Sequence, residues 1–405
     1  MVKKKTQKKT QKKTQKKTRT YIIKSAYLKS DKIKNILKQS KNINWEEFKN
    51  LKKSNKSNKS NKSNKSNKSN KSNKSTKKNI NSVDWIHTDE KFTYDKTLWG
   101  IKSKLKSQVD LGEKTITNKF NLINELQSFE NKKLNQMLLE QYKINLFTLF
   151  NNKKNLINNI IKYQKLFKNH KVWIFKPIFG HEGKDIIIVK SFDHFIKIIQ
   201  NKLNNKTNQQ KWKKLNYKKY QKMRNLAKFS LNIEWVIQEY ISNPLLYKNK
   251  KFHLRGYFLY HRLSNTQKKG YLFENHRVFT AKLPYKNDDY YNKDIHDTHI
   301  ASTPKELNYN PDITSTLSKI QEKDIQNQLN YLFKYIQKVI KAQCYPENKH
   351  CYHLFASDIM ITQDYKIKLI EMNTRPGMGE YNKQKVDYPH LIFKKIMDNI
   401  VLKHF

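Results

Sequence analysis

The chain has 405 residues and a formal net charge of +51, from 84 Lys and Arg against 33 Asp and Glu. A basic excess of this size is typical of proteins that bind nucleic acid or another polyanion. No apolar run approaches the roughly 18 to 20 residues of a membrane span, and no signal-peptide segment follows the basic start, so we expect a soluble, cytoplasmic protein.

The charge is densest at the start of the chain. Residues 1–80 hold 28 basic and 3 acidic side chains. Lys-Lys-Thr-Gln/Arg tetrads fill residues 4–19, and a Ser-Asn-Lys triplet repeats over residues 54–74. Because neither repeat has the apolar residues that offset chain entropy, residues 1–80 are predicted to be a disordered Lys-rich tail. Residues 21–51 have scattered apolar side chains and are interpreted as a linker with transient helix.

The body of the chain is aromatic and aliphatic, and its roughly 320 residues are ample for a large core divided into subdomains. We expect a smaller N-terminal subdomain over residues 81–166 and a catalytic domain over residues 167–405. Helix-like segments lie near residues 121–130, 134–142 and 156–167.

A strand-like hairpin with a long tip comes next. Two β-rich runs at residues 172–176 and 186–189 flank a loop that contains Gly180 and Gly183. Glycines allow backbone N–H groups to approach an anion, and Lys176 at the base of the loop supplies a charge. An ordinary hairpin loop is the alternative interpretation.

Residues 191–200 read as a helix, and residues 202–228 form a polar insertion that is either loop or exposed helix. The run at residues 235–240 reads as a strand that enters a turn where Pro244 stops regular pairing. A strand edge of this kind can bind a purine through its backbone groups.

The run at residues 251–260 alternates polar and apolar side chains. This pattern places Lys251, His253 and Arg255 on one face of a strand, which suits phosphate groups. A solvated strand face is the alternative. A second hairpin arm follows at residues 270–273, and residues 276–279 continue it.

Oxygen ligands cluster near the end of the chain. Asp358 lies on one strand-like stretch, a turn follows at residues 362–365, and a second stretch ends in Glu371 and Asn373. A hairpin of this form would place two carboxylates and an amide oxygen on one edge, and such ligands suit Mg²⁺.

These segments, in this order, resemble the tubulin-tyrosine ligase-like family of ATP-grasp ligases over about residues 95–402. The resemblance depends on Trp-Ile-Phe-Lys-Pro at residues 173–177, Val-Ile-Gln-Glu-Tyr-Ile at 236–241, Lys-Phe-His-Leu-Arg at 251–255, and Asp358 with Glu-Met-Asn at 371–373. It implies an α+β, ATP-grasp fold in which two subdomains clamp ATP.

The resemblance also implies roles for individual residues. Catalytic roles fall on Lys176, Arg255 and Glu371, and metal binding falls on Asp358, Glu371 and Asn373. Contacts to ATP fall on Lys119, Lys176, Gly180, Gly183, Gln238, Glu239, Tyr240, Ile241, Lys251, His253 and Arg255. Arg375 is a possible contact for a carboxylate substrate.

The implied reaction is ATP- and Mg²⁺-dependent joining of a carboxylate and an amine through an acyl-phosphate. An amino acid would be added to a protein or peptide acceptor, for example an acidic tail such as that of tubulin. The basic tail would attract such a partner, but it would attract nucleic acid or an anionic membrane equally. Two alternatives stay open, which are an inactive ATP-grasp protein that tethers polyanions and an enzyme with a small-molecule acceptor.

Three departures from the family pattern limit what can be said about the substrate. His253 stands where the family usually has Asp, and Asp185 replaces a glycine late in the phosphate loop. His-Ile-Ala-Ser-Thr at residues 299–303 matches the family's His-Leu-Thr-Asn-His segment only loosely.

Overall fold

The computed structural model describes residues 19–23, 43–47, 81–84, 105–106, 116, 118–152, 156–178, 185–213, 233–264, 266–273, 276–298, 317–340 and 351–373. The chain divides into two compact units, residues 1–107 and residues 108–405. Within the described helices, no stretch combines the length and the apolar character that are needed to cross a bilayer.

The first unit contains four short strands. They are β1 (Arg19–Ile23), β2 (Ile43–Glu47), β3 (Asn81–Asp84) and β4 (Leu105–Lys106). β1 pairs in parallel with both β2 and β3, and β3 pairs in parallel with β4. We expected a linker with transient helix at residues 21–51, but the described residues of that range, 21–23 and 43–47, are strands; Thr, Tyr and Ile in β1 favour extended backbone. The repeats at residues 4–18 and 54–74 lie outside the described residues.

The second unit begins with two helices and a four-stranded sheet, which we call the small sheet. The helices are α1 (Lys119–Gln127) and α2 (Lys132–Asn135). The antiparallel strands, in the order β5-β8-β6-β7, are β5 (Gln141–Asn145), β6 (Trp173–Pro177), β7 (Ile187–Val189) and β8 (Glu234–Glu239). Packed against the sheet are α3 (Leu146–Asn151), α4 (Leu156–Ile161), a 3₁₀ helix (Gln164–His170), α5 (Phe192–Asn204) and α6 (Lys206–Lys213).

The large sheet of the second unit is built around one long antiparallel strand. Its strands are β9 (Leu246–Tyr247), β10 (Lys250–Arg262), β11 (Lys268–Leu272), β12 (Arg277–Thr280), β13 (Cys351–Ile361) and β14 (Ile367–Asn373). β10 pairs with β9, β11, β12 and β13, and β13 pairs with β14. Two further helices are α7 (Lys293–His296) and α8 (Lys319–Val339).

Helix α8 covers one face of the large sheet. Its buried residues Leu329, Phe333 and Ile336 share an apolar core with Leu254 and Phe258 of β10. The rings of Phe258 and Phe333 stack with centroids 4.8 Å apart. Because side chains alternate along a strand, the intervening residues of β10 face the other way.

The two sheets are joined by two neighbouring chain segments. In the first, Met137 O accepts a hydrogen bond from Leu369 N of β14 (2.9 Å). Four residues after Met137, the chain enters β5 of the small sheet. In the second, which leaves β8, Leu245 N donates to Ile361 O (2.8 Å) on β13. These segments fix how the two sheets face each other, and the cleft described below lies between them.

Most predicted elements are present and the α+β class is confirmed. The predicted helix at residues 134–142 is wrong beyond Asn135, because Gln141–Asn145 instead forms β5 and pairs with β8. The sequence analysis also missed α8, although its buried residues recur at helical spacing and Ser318 forms a capping box with Gln321. The boundaries at residues 80 and 166 remain predictions.

Candidate ATP and metal site

A cleft of about 390 Å³ lies between the small and large sheets. Its apolar walls include Ile174 and Ile188 from the small sheet and Met360 and Ile370 from the large sheet. Among the residues implied by the family resemblance, those that line the cleft are Lys119, Lys176, Tyr240, Lys251, His253, Asp358 and Glu371. An apolar cleft with a few converging polar groups is typical of a small-molecule site.

A row of four charged residues crosses the large sheet. Arg277 on β12 lies opposite Arg255 on β10, Arg255 lies opposite Asp358 on β13, and Asp358 lies opposite Glu371 on β14. Strand pairing therefore orders two cations and two anions along one line, with neighbours separated by roughly the 4.8 Å strand spacing. The register shifts by one residue after Asp358, which marks an irregularity beside the two carboxylates.

Arg255 holds Asp358 with two hydrogen bonds. Its Nε donates to Oδ1 at 2.8 Å and its Nη2 donates to Oδ2 at 2.9 Å, while Asn373 Nδ2 donates to the same Oδ2 at 3.2 Å. Burial alone would lower the pKa of Arg255, but the Asp358 carboxylate outweighs it and raises that pKa. The buried Asp358 side chain thus accepts three hydrogen bonds from neighbouring predicted site residues, which leaves acceptor capacity on the carboxylate.

The ring of Phe279 contacts three basic side chains. It stacks on His253 with centroids 4.9 Å apart and an interplanar angle of 6°, and it lies 4.7 Å from the Arg255 guanidinium and 4.6 Å from that of Arg277. His253 Nδ1 also hydrogen-bonds Thr298 Oγ1. These contacts exclude a solvated strand face, because His253 is only 1% exposed and Lys251 3%.

Two lysines extend the cationic part of the site. Lys119 begins α1, whose first turn is capped by the Asn118 side chain, and its Nζ lies 3.2 Å from Glu371 Oε2. Burial lowers the pKa of Lys176 to about 8, and Glu371 and Asp358 partly oppose this shift. Both lysines therefore lie beside the carboxylates that were predicted to bind metal.

The segment predicted to bind adenine is residues 238–241, and the polar groups of these residues make different contacts. Gln238 is buried and its Nε2 donates to Gln141 Oε1 (3.4 Å), while the amides of Glu239 and Tyr240 donate to Glu140 O (2.8 Å) and Val172 O (3.0 Å). Only Tyr240 of the four lines the cleft. A purine in this cleft would therefore meet Tyr240 and not the side chain of Gln238.

Lys251 reaches from the large sheet to this segment. Its Nζ donates to Ile241 O at 3.3 Å and lies 3.8 Å from the centre of the Tyr240 ring. Burial lowers its pKa to about 7. The lysine closes the end of the cleft that the family resemblance assigns to adenine.

The sequence analysis missed an aromatic strap at the mouth of the cleft, formed by residues 285–296. Tyr240 OH donates to His296 Nδ1 (2.8 Å), because His296 Nε2 lies 2.8 Å from Asp289 O and must carry the ring proton. Tyr290 stacks on His296, and Lys190 Nζ lies 4.3 Å from the Tyr290 ring. No motif signals such a strap, since its contacts come from segments that are distant in the sequence.

Some predicted site residues lie outside the described residues, namely Gly180, Gly183 and Arg375. Asp185, at the end of the same loop, lines the cleft with a φ of 64°. Glycine is the usual residue in this left-handed region and Asp tolerates it better than most others, which accounts for an aspartate where the family has glycine.

The predicted metal ligands pass a test of donor chemistry. Asp358 and Glu371 are direct cross-strand neighbours, both line the cleft, and Asn373 contacts Asp358. Two carboxylates and an amide are hard oxygen donors of the kind that Mg²⁺ prefers. No cluster of three His, Cys, Asp or Glu side chains arranged for a metal occurs in the described part of the chain, so an ion here would need the amide as well.

Comparison with solved structures defines the class of fold. The C-terminal domain of Pby1 from K. lactis, described as an ATP-grasp enzyme that interacts with the mRNA decapping enzyme Dcp2, superposes with a TM-score of 0.54. The match covers 94% of this chain and 92% of that domain at 16% sequence identity. The protein therefore has an ATP-grasp fold.

The family model of the tubulin-tyrosine ligase family matches residues 73–404, and the chain belongs to this family. It is 23% identical over 253 residues to a probable tubulin polyglutamylase, ttll-9, of Caenorhabditis elegans, covering 57% of this chain and 52% of that protein. It is 26% identical to a probable alpha-tubulin polyglutamylase, Ttll1, of Tetrahymena thermophila, covering 51% and 48%. The chain thus spans about half the length of the curated relatives it matches.

Proposed function

We propose that the protein is an ATP- and Mg²⁺-dependent ligase that joins a carboxylate to an amine and adds an amino acid to a protein or peptide acceptor. The observation that carries this proposal is the charged row of Glu371, Asp358, Arg255 and Arg277 beside an apolar cleft. Family membership and the ATP-grasp fold support the same class of reaction.

The charges at the site suit the ATP and metal part of such a reaction. Asp358, Glu371 and Asn373 would hold Mg²⁺, which would neutralise charge on the phosphates of ATP. Lys176 and Lys119 would contact those phosphates, and Arg255 would face the γ-phosphate. Arg277, the next cation in the row, is 4% exposed and does not line the cleft, so it would act through Arg255 and the Phe279 ring that both guanidinium groups contact.

The proposed chemistry has two steps. A carboxylate oxygen of the substrate attacks the γ-phosphorus and ADP leaves, which gives an acyl-phosphate. The amine then attacks the acyl carbon, the C–O bond to phosphate breaks, and the nitrogen loses a proton to leave an amide. Both partners in the first step are anions, so these residues act mainly by charge neutralisation and alignment.

We further propose an acidic peptide as the acceptor, because two curated relatives are named as probable tubulin polyglutamylases and the first 18 residues contain nine lysines. Deletion of residues 1–18 should leave turnover of a short peptide unchanged and weaken capture of a long acidic one. The loss should be largest at low ionic strength, where charge attraction is least screened. An unchanged KM for the long peptide would contradict this role.

The central test combines purified protein, ATP, Mg²⁺, mixed amino acids and acidic peptides, with ADP release and peptide mass as readouts. We expect amino-acid-sized additions that disappear in Glu371→Gln. Absence of both ADP and adducts with every acceptor, together with salt-sensitive binding of polyanions, would contradict the ligase and favour the alternative, an inactive ATP-grasp protein that tethers polyanions.

A further inference from the structure

A chain of buried side-chain amides connects the segment at the adenine end of the cleft with the start of α1. Gln238 Nε2 donates to Gln141 Oε1 at 3.4 Å, and Gln141 Nε2 donates to Phe120 O at 2.9 Å. Gln238 is 1% exposed and Gln141 8%. Buried amides with polar partners of this kind fix local geometry, because breaking one bond leaves a desolvated group without its partner.

The second bond of this chain links the two halves of the cleft. Phe120 belongs to α1, whose buried residues Leu122, Ile123 and Leu126 pack in the core of the large sheet. Gln141 belongs to β5 and pairs with Gln238 across the small sheet. The Gln141 side chain therefore connects the small sheet to helix α1, which packs on the large sheet.

The backbone carbonyl that Gln141 holds is next to a predicted phosphate contact. Phe120 follows Lys119, and the first turn of α1 is fixed from the other side by Asn118 Oδ1, which accepts from the amides of Phe120 and Asn121 at 3.0 Å. Lys119 then projects its Nζ to 3.2 Å from Glu371 Oε2. Because the helix start is held at both ends of one turn, the direction of Lys119 depends on those bonds.

We infer that Gln141 is a positioning residue, which orients Lys119 toward the phosphate and metal end of the cleft and couples it to Gln238 at the adenine end. This inference depends on the proposed nucleotide site. Gln141 does not line the cleft, so it would act through Phe120 and Lys119. Its loss should weaken binding of the ATP phosphates and leave binding of the base and ribose intact.

The test measures dissociation constants by calorimetry for adenosine and for a non-hydrolysable ATP analogue with Mg²⁺. In Gln141→Met, which keeps the size and removes both hydrogen bonds, we expect about tenfold weaker binding of the analogue and adenosine binding within about twofold of wild type. Lys119→Met should lose a similar factor, and the double variant should lose no more than Lys119→Met alone, since both changes remove one interaction.

Two further variants separate positioning from general damage to the fold. Gln141→Glu keeps an acceptor for Gln238, and its carboxyl can donate to Phe120 O only when it is protonated, so its affinity for the analogue should fall toward that of Gln141→Met as the pH rises. Gln328→Met removes another buried glutamine, which bonds Tyr365 O at 2.8 Å, and should lower stability without changing the ratio of the two affinities.

Additive losses in the double variant, or equal losses for adenosine and the analogue, would overturn the inference while leaving the nucleotide site in place. Failure of the wild-type protein to bind either ligand would overturn the proposed function itself, and the inference with it.

Discussion

The small and large sheets present contrasting surfaces to the same cleft. The small sheet contributes Ile174, Ile187 and Ile188 and one buried cation, Lys176. The large sheet contributes Lys251 and His253 together with the carboxylates Asp358 and Glu371. An apolar wall suits a flat base, and ordered charges suit phosphates and a metal.

The contrast has a structural origin. The core of the small sheet is aromatic, with the rings of Phe175 and Trp235 stacked 4.6 Å apart. Most of the polar groups in this core are therefore backbone groups. The large sheet buries one face under α8 and is free to carry charge on the other. If the proposed roles are correct, the small sheet should mainly affect binding and the large sheet should mainly affect chemistry, and variants in each sheet can test this division.

The largest effect is expected at the carboxylate end of the charged row. Glu371→Gln keeps the shape of the side chain but removes its charge, so Lys119 loses an ion-pair partner and the proposed metal site loses a carboxylate. We expect ADP release and adduct formation to fall by about 10² to 10³ in kcat. Glu322→Gln, an exposed change on α8, is the control and should leave the rate unchanged. A near-normal kcat in Glu371→Gln would contradict the proposal that the large sheet carries out the chemistry.

Arg255→Lys tests whether geometry matters beyond charge. Lysine keeps the cation but cannot form the paired bonds to both oxygens of Asp358 that Arg255 makes at 2.8 and 2.9 Å. We expect kcat to fall by about 10², with a smaller change in the KM for ATP. Steady-state kinetics that show the reverse, a raised KM with normal kcat, would mean that Arg255 serves binding only.

Lys176→Met tests the small sheet. Lys176 is 4% exposed, so methionine can replace its stem in the buried site, and the substitution removes the proposed phosphate contact together with the attraction to Glu371 and Asp358. We expect about tenfold weaker ATP binding by calorimetry and a folded state that is no less stable than wild type. Lys197→Met, an exposed change on α5, should alter neither quantity. Loss of kcat with unchanged ATP affinity would contradict the division between the sheets.

The large-sheet part of the site was predictable because its signal is local. Alternation along β10 placed Lys251, His253 and Arg255 on one face, and the short hairpin of β13 and β14 placed Asp358 near Glu371. The structure confirms those elements and their facing. The roles of the residues remain predictions, which the variants above are designed to test.

Other parts of the site depend on contacts between distant segments. Gln141 lies in a stretch that looked helical, and its partners Phe120 and Gln238 are 21 and 97 residues away. The pairing of Arg277 with Arg255 depends on the register of β10 and β12, which no local pattern fixes. Helix α8 is different, because its apolar spacing was visible in the sequence and was overlooked.

The smallest effect on the rate of the reaction is expected at Lys251, which bridges the two sheets. Burial lowers its pKa to about 7, and its neighbours Tyr240, Tyr285 and His296 provide no carboxylate to oppose that shift. An unfolded lysine titrates near 10.5, so between pH 7 and 10.5 the unfolded chain binds more protons than the folded one. This lysine should therefore raise the free energy of unfolding with increasing pH, by at most about 1.4 kcal/mol per unit, and its full penalty is present below pH 7.

Lys251→Met should remove that contribution. Denaturant unfolding at several pH values should show the variant more stable than wild type near pH 7, with the difference shrinking as the pH rises toward 10. A constant difference across this range would mean that the lysine is not held in a low-dielectric site. Loss of adenosine affinity in the same variant would show that Lys251 contributes to binding at the adenine end although its burial destabilises the fold. One cation of the large sheet would then serve binding and not chemistry.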